Sequence, residues 1–213
     1  MFTKMKKYRK MNSELNESGL KTTTETFMCG KRYRDINFSN VGSLCMHRNR
    51  KAFLNEKVKS SSIRSSDEDR IKARENLISS KKIKGNELFP HQVCLSCMTS
   101  SLSEAEISVL DKQWIDLKTK TIEMMRESGI EPGNTLVMSD ISASMTINNS
   151  IPLGVSVSLG ILFSEICDNA YKDLVLTFDE CPTFYDLSGS KTIVEKVRKL
   201  LKAPWGRSTN LLK

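Results

Sequence analysis

Two short apolar runs, Thr135-Leu136-Val137 and Leu174-Val175-Leu176-Thr177-Phe178, stand on either side of a helical pattern. That order constrains the fold more than any other feature. Short apolar runs bounded by turn residues read as buried strands. The first follows the turn signal Glu131-Pro132-Gly133-Asn134 and ends at Asp140. Between the runs, Pro152 opens a helix with Val155, Leu159, Leu162 and Ile166 as its apolar stripe, and Gly160 permits close approach to a sheet. Pro182-Thr183-Phe184-Tyr185-Asp186-Leu187 reads as a weaker third strand, with a turn at Ser188-Gly189. Residues 192–201 form a further helix on Ile193, Val197, Leu200 and Leu201. Strand, helix, strand, strand, helix is an α/β layer. Two or three strands are too few to close such a sheet. The region 101–213 therefore reads as the first half of a doubly wound, Rossmann-like domain.

The clearest helix spans residues 103–128. Ser103 and Glu106 fit a capping box. Ile107, Leu110, Trp114, Leu117, Thr121 and Met124 recur at spacings of three and four, and Gly129 stops the run. Residues 1–100 read as a basic, mainly α-helical region. Tyr8, Met11 and Leu15 suit one helix; Val41, Leu44, Cys45 and Phe53 suit another; residues 71–80 are a third. Leu88-Phe89-Pro90-His91 begins the next, with proline tolerated in the first turn. Lys59-Ser60-Ser61-Ser62-Ile63-Arg64-Ser65-Ser66, followed by Asp67-Glu68-Asp69, has linker composition. It is expected to be mobile chain or a loop inserted between helices.

Charge is unevenly placed. The net +8 resolves into 21 Lys+Arg against 10 Asp+Glu in residues 1–87, and 12 against 15 in the remainder. The basic character belongs to the N-terminal part, which permits contact with a polyanion such as RNA. No apolar run is expected to reach the span of a transmembrane helix. The basic first residues lack the apolar stretch of a secretory signal. The six cysteines are expected to be free thiols in a reducing, intracellular and cytoplasmic setting. His91, Cys94 and Cys97 resemble half a zinc site, but no second ligand pair is available.

After the first strand comes Asp140-x-Ser142-x-Ser144, one carboxylate and two hydroxyls spaced by one residue. Asp and Ser after a strand commonly serve as turn and capping residues. Here they sit at the carboxyl end of a strand in an α/β pattern, where ligands bind. Three oxygen groups turned toward one point suit a hard divalent cation, which takes few carboxylates and several waters. A cation held by one charge and two neutral hydroxyls keeps its appetite for another carboxylate or a phosphate.

Asp140-x-Ser142-x-Ser144-Met145, the helix after it, the strand ending Leu176-Thr177-Phe178 and Trp205-Gly206-Arg207-Ser208-Thr209-Asn210 together resemble a von Willebrand factor type A domain with its metal-ion-dependent adhesion site. The resemblance extends to a family of uncharacterised viral, plant and fungal proteins. These join a helical region to a type A domain, as the Ro/telomerase-associated (TROVE) ribonucleoproteins do. Tyr8-Arg9-Lys10, Asp35-Ile36-Asn37-Phe38, Ala52-Phe53 and Leu88-Phe89-Pro90-His91 look like that family's linking region. The resemblance implies that Asp140, Ser142, Ser144 and Thr209 hold Mg²⁺, or another divalent cation such as Mn²⁺ or Ca²⁺. It implies a binding module, not an enzyme, for a protein or ribonucleoprotein partner that offers a carboxylate. No membrane is expected as a partner. The family's third motif, an aspartate after a later strand, has no counterpart, so the type A domain is expected to be truncated. Asp179 and Glu180 are expected near the rim only if they are not turn residues. RNA binding by the basic region is the alternative function. Metal-dependent phosphoester hydrolysis at Asp140 is the third, although phosphatases of that design use Asp-x-Asp where Ser142 stands here.

Overall fold

The computed structural model describes residues 23–58, 60, 62–131, 135–167, 170–178 and 181–204, together with 6–8, 10, 11 and 14 near the N-terminus. In chain order the elements are α1 (Thr24–Cys29), α2 (Ser43–Phe53), α3 (Glu68–Ser79), α4 (Pro90–Cys97), α5 (Glu104–Glu127), β1 (Val137–Ser139), α6 (Ile147–Ile166), β2 (Leu174–Thr177), β3 (Phe184–Asp186) and α7 (Ile193–Leu200). Short 3₁₀ turns occupy Tyr33–Asp35 and Ala143–Thr146. The fold is mixed α/β, mostly helical, with a small sheet.

The sheet runs β1-β2-β3. β1 and β2 are parallel, with Val137 opposite Val175 and Ser139 opposite Thr177. A parallel pair needs a crossover, and α6 supplies it. β3 returns antiparallel, setting Leu176 against Phe184. The strands are shorter than the apolar runs suggest, and β1 is buried on one side only. Ser139 is buried, whereas Leu136 and Met138 are 40% and 39% exposed. This corrects the expectation of a wholly buried first strand.

α6 buries Gly154, Val157, Ser158, Gly160, Ile161, Leu162, Ser164 and Ile166. Its inward face is therefore rotated from the expected stripe, and Leu159 points partly outward. Small residues let this helix lie close to the sheet. A Cβ on Gly160 would collide with the Ser139 hydroxyl. The stretch Ala143–Ile166 is long and apolar enough, by length and composition alone, to cross a membrane. That corrects the expectation that no run reaches such a span. In this fold the buried side of the helix packs into the core around Val175.

α5 is capped as its sequence predicts. The Ser103 hydroxyl accepts from the Glu106 amide at 3.1 Å, and the Glu106 carboxylate accepts from the Ser103 amide at 3.4 Å. At the other end Gly129 adopts φ +68, and Ile130 N–H reaches back to Met125 O at 2.8 Å. That closes a Schellman motif. Between these caps the helix divides its burial. Ala105 and Val109 join a core with Phe38, Phe53, Leu54, Leu77 and Ile83. Leu110, Trp114 and Leu117 join a second core with α4, α6, α7 and the sheet. Burying an indole such as Trp114 removes about 150–250 Å² from water, on the order of several kcal/mol. Met124, expected in the stripe, is 55% exposed, while its neighbours Ile122 and Met125 pack against the second core.

Two buried carboxylates tie the helices together. Glu106 is fully buried and is held by Arg50 Nε at 3.2 Å and Lys51 Nζ at 3.4 Å. Glu165 accepts from Trp114 Nε1 at 3.1 Å and pairs with Lys118 and Lys196, each at 2.8 Å. Between α2 and α3, Glu56 and Ile63 form an isolated antiparallel bridge.

Candidate metal centre

The site loop begins where β1 ends. Ser139 anchors the strand end to α6, its hydroxyl donating to Ser156 O at 3.4 Å. Ile141, 5% exposed, pins the loop into the core between the two polar residues that flank it. Asp140 Oδ1 accepts the Ser142 amide at 2.9 Å, which fixes the turn and leaves Oδ2 with no hydrogen bond among the described residues. The Ser142 and Ser144 hydroxyls then meet at 2.9 Å. Ser142 is half-buried and Ser144 exposed, so the pair lies at the protein surface.

The donor set can be tested against an ion. Two oxygens bound cis to an octahedral Mg²⁺ at about 2.1 Å stand roughly 3.0 Å apart. The serine oxygens already have that separation. The same distance is a hydrogen bond between hydroxyls when no ion is present. The set therefore fits a hard cation by ligand type, and its two serine oxygens fit by separation. Thr209, the fourth expected ligand, lies outside the described residues, as do Asp179 and Glu180.

The first turn of α6 is strained. Asn148, Asn149 and Ser150 all take left-handed backbone angles, with φ of 49, 56 and 60. Each costs about 1–2 kcal/mol for an ordinary L-residue, less for asparagine. The regular helix starts only at Ile151, with Pro152 in its first turn, where its missing amide is harmless.

The zinc-like trio is not assembled. Cys94 and Cys97 are buried free thiols, and His91 stacks on Phe89 with ring centroids 5.7 Å apart. Burial pushes both thiols up, Cys97 to about 12. Neutral thiols bind metal poorly. Among the described residues no group of three or more His, Cys, Asp or Glu could hold a metal ion.

One polar constellation escaped the sequence reading. His47 Nδ1 lies 3.2 Å from Gln113 Oε1, and His47 Nε2 lies 3.1 Å from the Ser96 hydroxyl. Gln113 Nε2 donates to Ser43 O and Lys84 O, both at 3.1 Å. That fixes Gln113 Oε1 as the acceptor, so Nδ1 carries the imidazole proton and Nε2 accepts from Ser96. The relay joins α2, α4 and α5. No sequence signal identifies it, because its members are 49 and 66 residues apart.

Residues 134–213, which include the Asp140 loop and all three strands, match a domain of unknown function, DUF7788. An uncharacterized protein of Acanthamoeba polyphaga mimivirus, L728, is 31% identical over 212 residues, 97% of this chain. The chain spans only 34% of that relative's length. Neither description carries an activity. No solved structure matches the chain.

Proposed function

We propose that the Asp140 loop is the metal-binding half of a type A-like domain that captures a protein or ribonucleoprotein partner through a divalent cation. The single observation carrying this reading is the 2.9 Å approach of the Ser142 and Ser144 hydroxyls beside the Asp140 carboxylate. Asp140, Ser142 and Ser144 would hold the ion, Mg²⁺ in the first instance or Mn²⁺ or Ca²⁺, with Thr209 as the fourth ligand. A parallel strand pair carrying an antiparallel edge strand also supports the doubly wound reading, since such edges are common in that class. The bound cation supplies an electron-poor centre that accepts one more oxygen ligand. The chain's own residues position it, leave one face open and contribute a single negative charge. A carboxylate from the partner completes the set, and no catalysis is assigned.

Manganese tests this directly. Its free-ion paramagnetic signal should fall on titration with the protein, recover on adding Mg²⁺ and stay unchanged with Asp140→Ala. A signal that the unaltered protein leaves untouched rejects the reading.

A second reading rests on a different observation, the 21 Lys+Arg against 10 Asp+Glu before residue 88. It makes this region a contact for RNA phosphates. Binding should then weaken steeply with salt and be indifferent to Asp140→Ala. Salt-independent or absent RNA binding rejects it.

A further inference from the structure

We propose that Ser66 is a phosphoacceptor site for an acidophilic serine/threonine kinase. The next three residues, Asp67, Glu68 and Asp69, are all acidic. Kinases that select substrates by charge pattern read such carboxylates with basic pockets of their own. Position matters as much as composition. Ser66 is exposed and lies in irregular chain between the Ser-rich loop and α3. Its neighbours are occupied. The Ser65 hydroxyl accepts the Asp67 amide at 3.2 Å, and Ser65 O accepts Asn55 Nδ2 at 2.7 Å. Asp67 caps α3, accepting the Asp69 amide at 2.9 Å. The Ser66 hydroxyl has no hydrogen-bond partner among the described residues. Ser60 and Ser62 are bonded to each other at 2.8 Å and have no acidic residue three positions on.

The start of α3, next to Ser66 in sequence, carries cations and carboxylates together. Arg34, Asp67, Glu68, Asp69 and Lys72 line one cavity of about 350 Å³. Arg34 pairs with Asp69 at 2.9 Å, and Lys72 with Glu68 at 2.6 Å. Both cations are more than half exposed, so these pairs are weak and exchangeable. A phosphate carrying roughly −1.5 to −2 charge there competes with Asp69 and Glu68 for these two cations and is repelled by the three carboxylates, so its effect is to rearrange these pairs. It is also placed where the helix dipole favours an anion. In the transfer the Ser66 hydroxyl oxygen attacks the γ-phosphorus of a nucleoside triphosphate. The new O–P bond forms as the bond to the β-phosphate oxygen breaks. The hydroxyl proton passes to the kinase's base, and the nucleoside diphosphate leaves.

The test is phosphorylation of the full chain by an acidophilic kinase of the casein-kinase type with labelled ATP, mapped by mass spectrometry. One phosphate on Ser66 is expected, lost in Ser66→Ala and retained in Ser65→Ala. Asp69→Asn should slow incorporation. Ser66→Ala should melt like the unaltered protein, because the hydroxyl makes no described contact. Label that maps to residues 60–65 with Ser66 bare overturns the assignment. So does a folded chain that takes up no label, whether or not a peptide of residues 60–72 is phosphorylated.

Discussion

Gly160 of α6 lies against the hydroxyl of Ser139, the last residue of β1, with no room for a side chain between them. This contact sets the height of the site loop above the helix. Gly160→Ala should destabilise the protein by about 1–3 kcal/mol, the usual cost of overpacking a core. The collision is chiefly with the Ser139 oxygen; the Ser139 Cβ is 3.4 Å away. Adding Ser139→Ala should therefore recover part of the loss, measured as a coupling in a double-mutant cycle of denaturant unfolding. Strictly additive effects would mean that the helix reseats elsewhere.

Glu165 supports the opposite end of α6. It is 7% exposed and faces Lys118 and Lys196. Burial works to raise its pKa, but hydrogen bonds from the two lysines outweigh this and hold the carboxyl below its usual 4.5. A depressed carboxyl contributes stability that is present above about pH 4.5 and is lost as pH falls through the lower folded-state value. Glu165→Gln should cost about 2–4 kcal/mol at neutral pH, the cost of leaving two lysines half-partnered, and should flatten the acid limb of the stability profile. A loss below about 0.5 kcal/mol would show the pairs to be inert.

His47 gives a second pH dependence. Burial lowers its pKa below 6.5, the charges of Arg50 and Arg48 add to this, and the bond to Gln113 only partly opposes them. The unfolded chain then takes up the proton first. Stability is full above about pH 6.5 and falls as the solution is acidified through the folded-state value. Glu56 and Asp111, both raised mainly by burial, act in the opposite sense. The comparison must therefore be between the unaltered protein and His47→Gln. Unfolding free energies at about pH 7.5 and about pH 5.5 should fall more for the former. Equal slopes would contradict a lowered folded-state pKa for His47.

The legible parts of this fold were local. The Ser103–Glu106 cap and the Gly129 stop depend on residues within a few positions of one another. So does the meeting of the Ser142 and Ser144 hydroxyls, one residue apart in a turn. The face of α6 was not legible, because Gly154, Ser158, Gly160 and Ser164 pack inward for their smallness and a hydrophobic stripe cannot register that. The His47–Gln113 bond and the Glu165 pairs were invisible for a related reason. Long-range polar partners leave no periodic trace in a chain. The one-sided burial of β1 follows from α6 packing on the Ser139 face of the sheet, while the face carrying Met138 is left partly exposed.

The central claim is that the oxygens of the Asp140 loop hold a divalent cation. Thermal unfolding with and without Mg²⁺ tests it most directly, using the full chain, Asp140→Asn and Asp140→Ala. Asp140→Asn keeps an acceptor for the Ser142 amide while removing the charge. A ligand at about a hundred times its dissociation constant stabilises a folded protein by roughly 2.7 kcal/mol. The melting temperature should climb with Mg²⁺ for the unaltered chain and stay level for both variants. An unaltered chain indifferent to Mg²⁺, or variants that rise in parallel with it, would contradict the account.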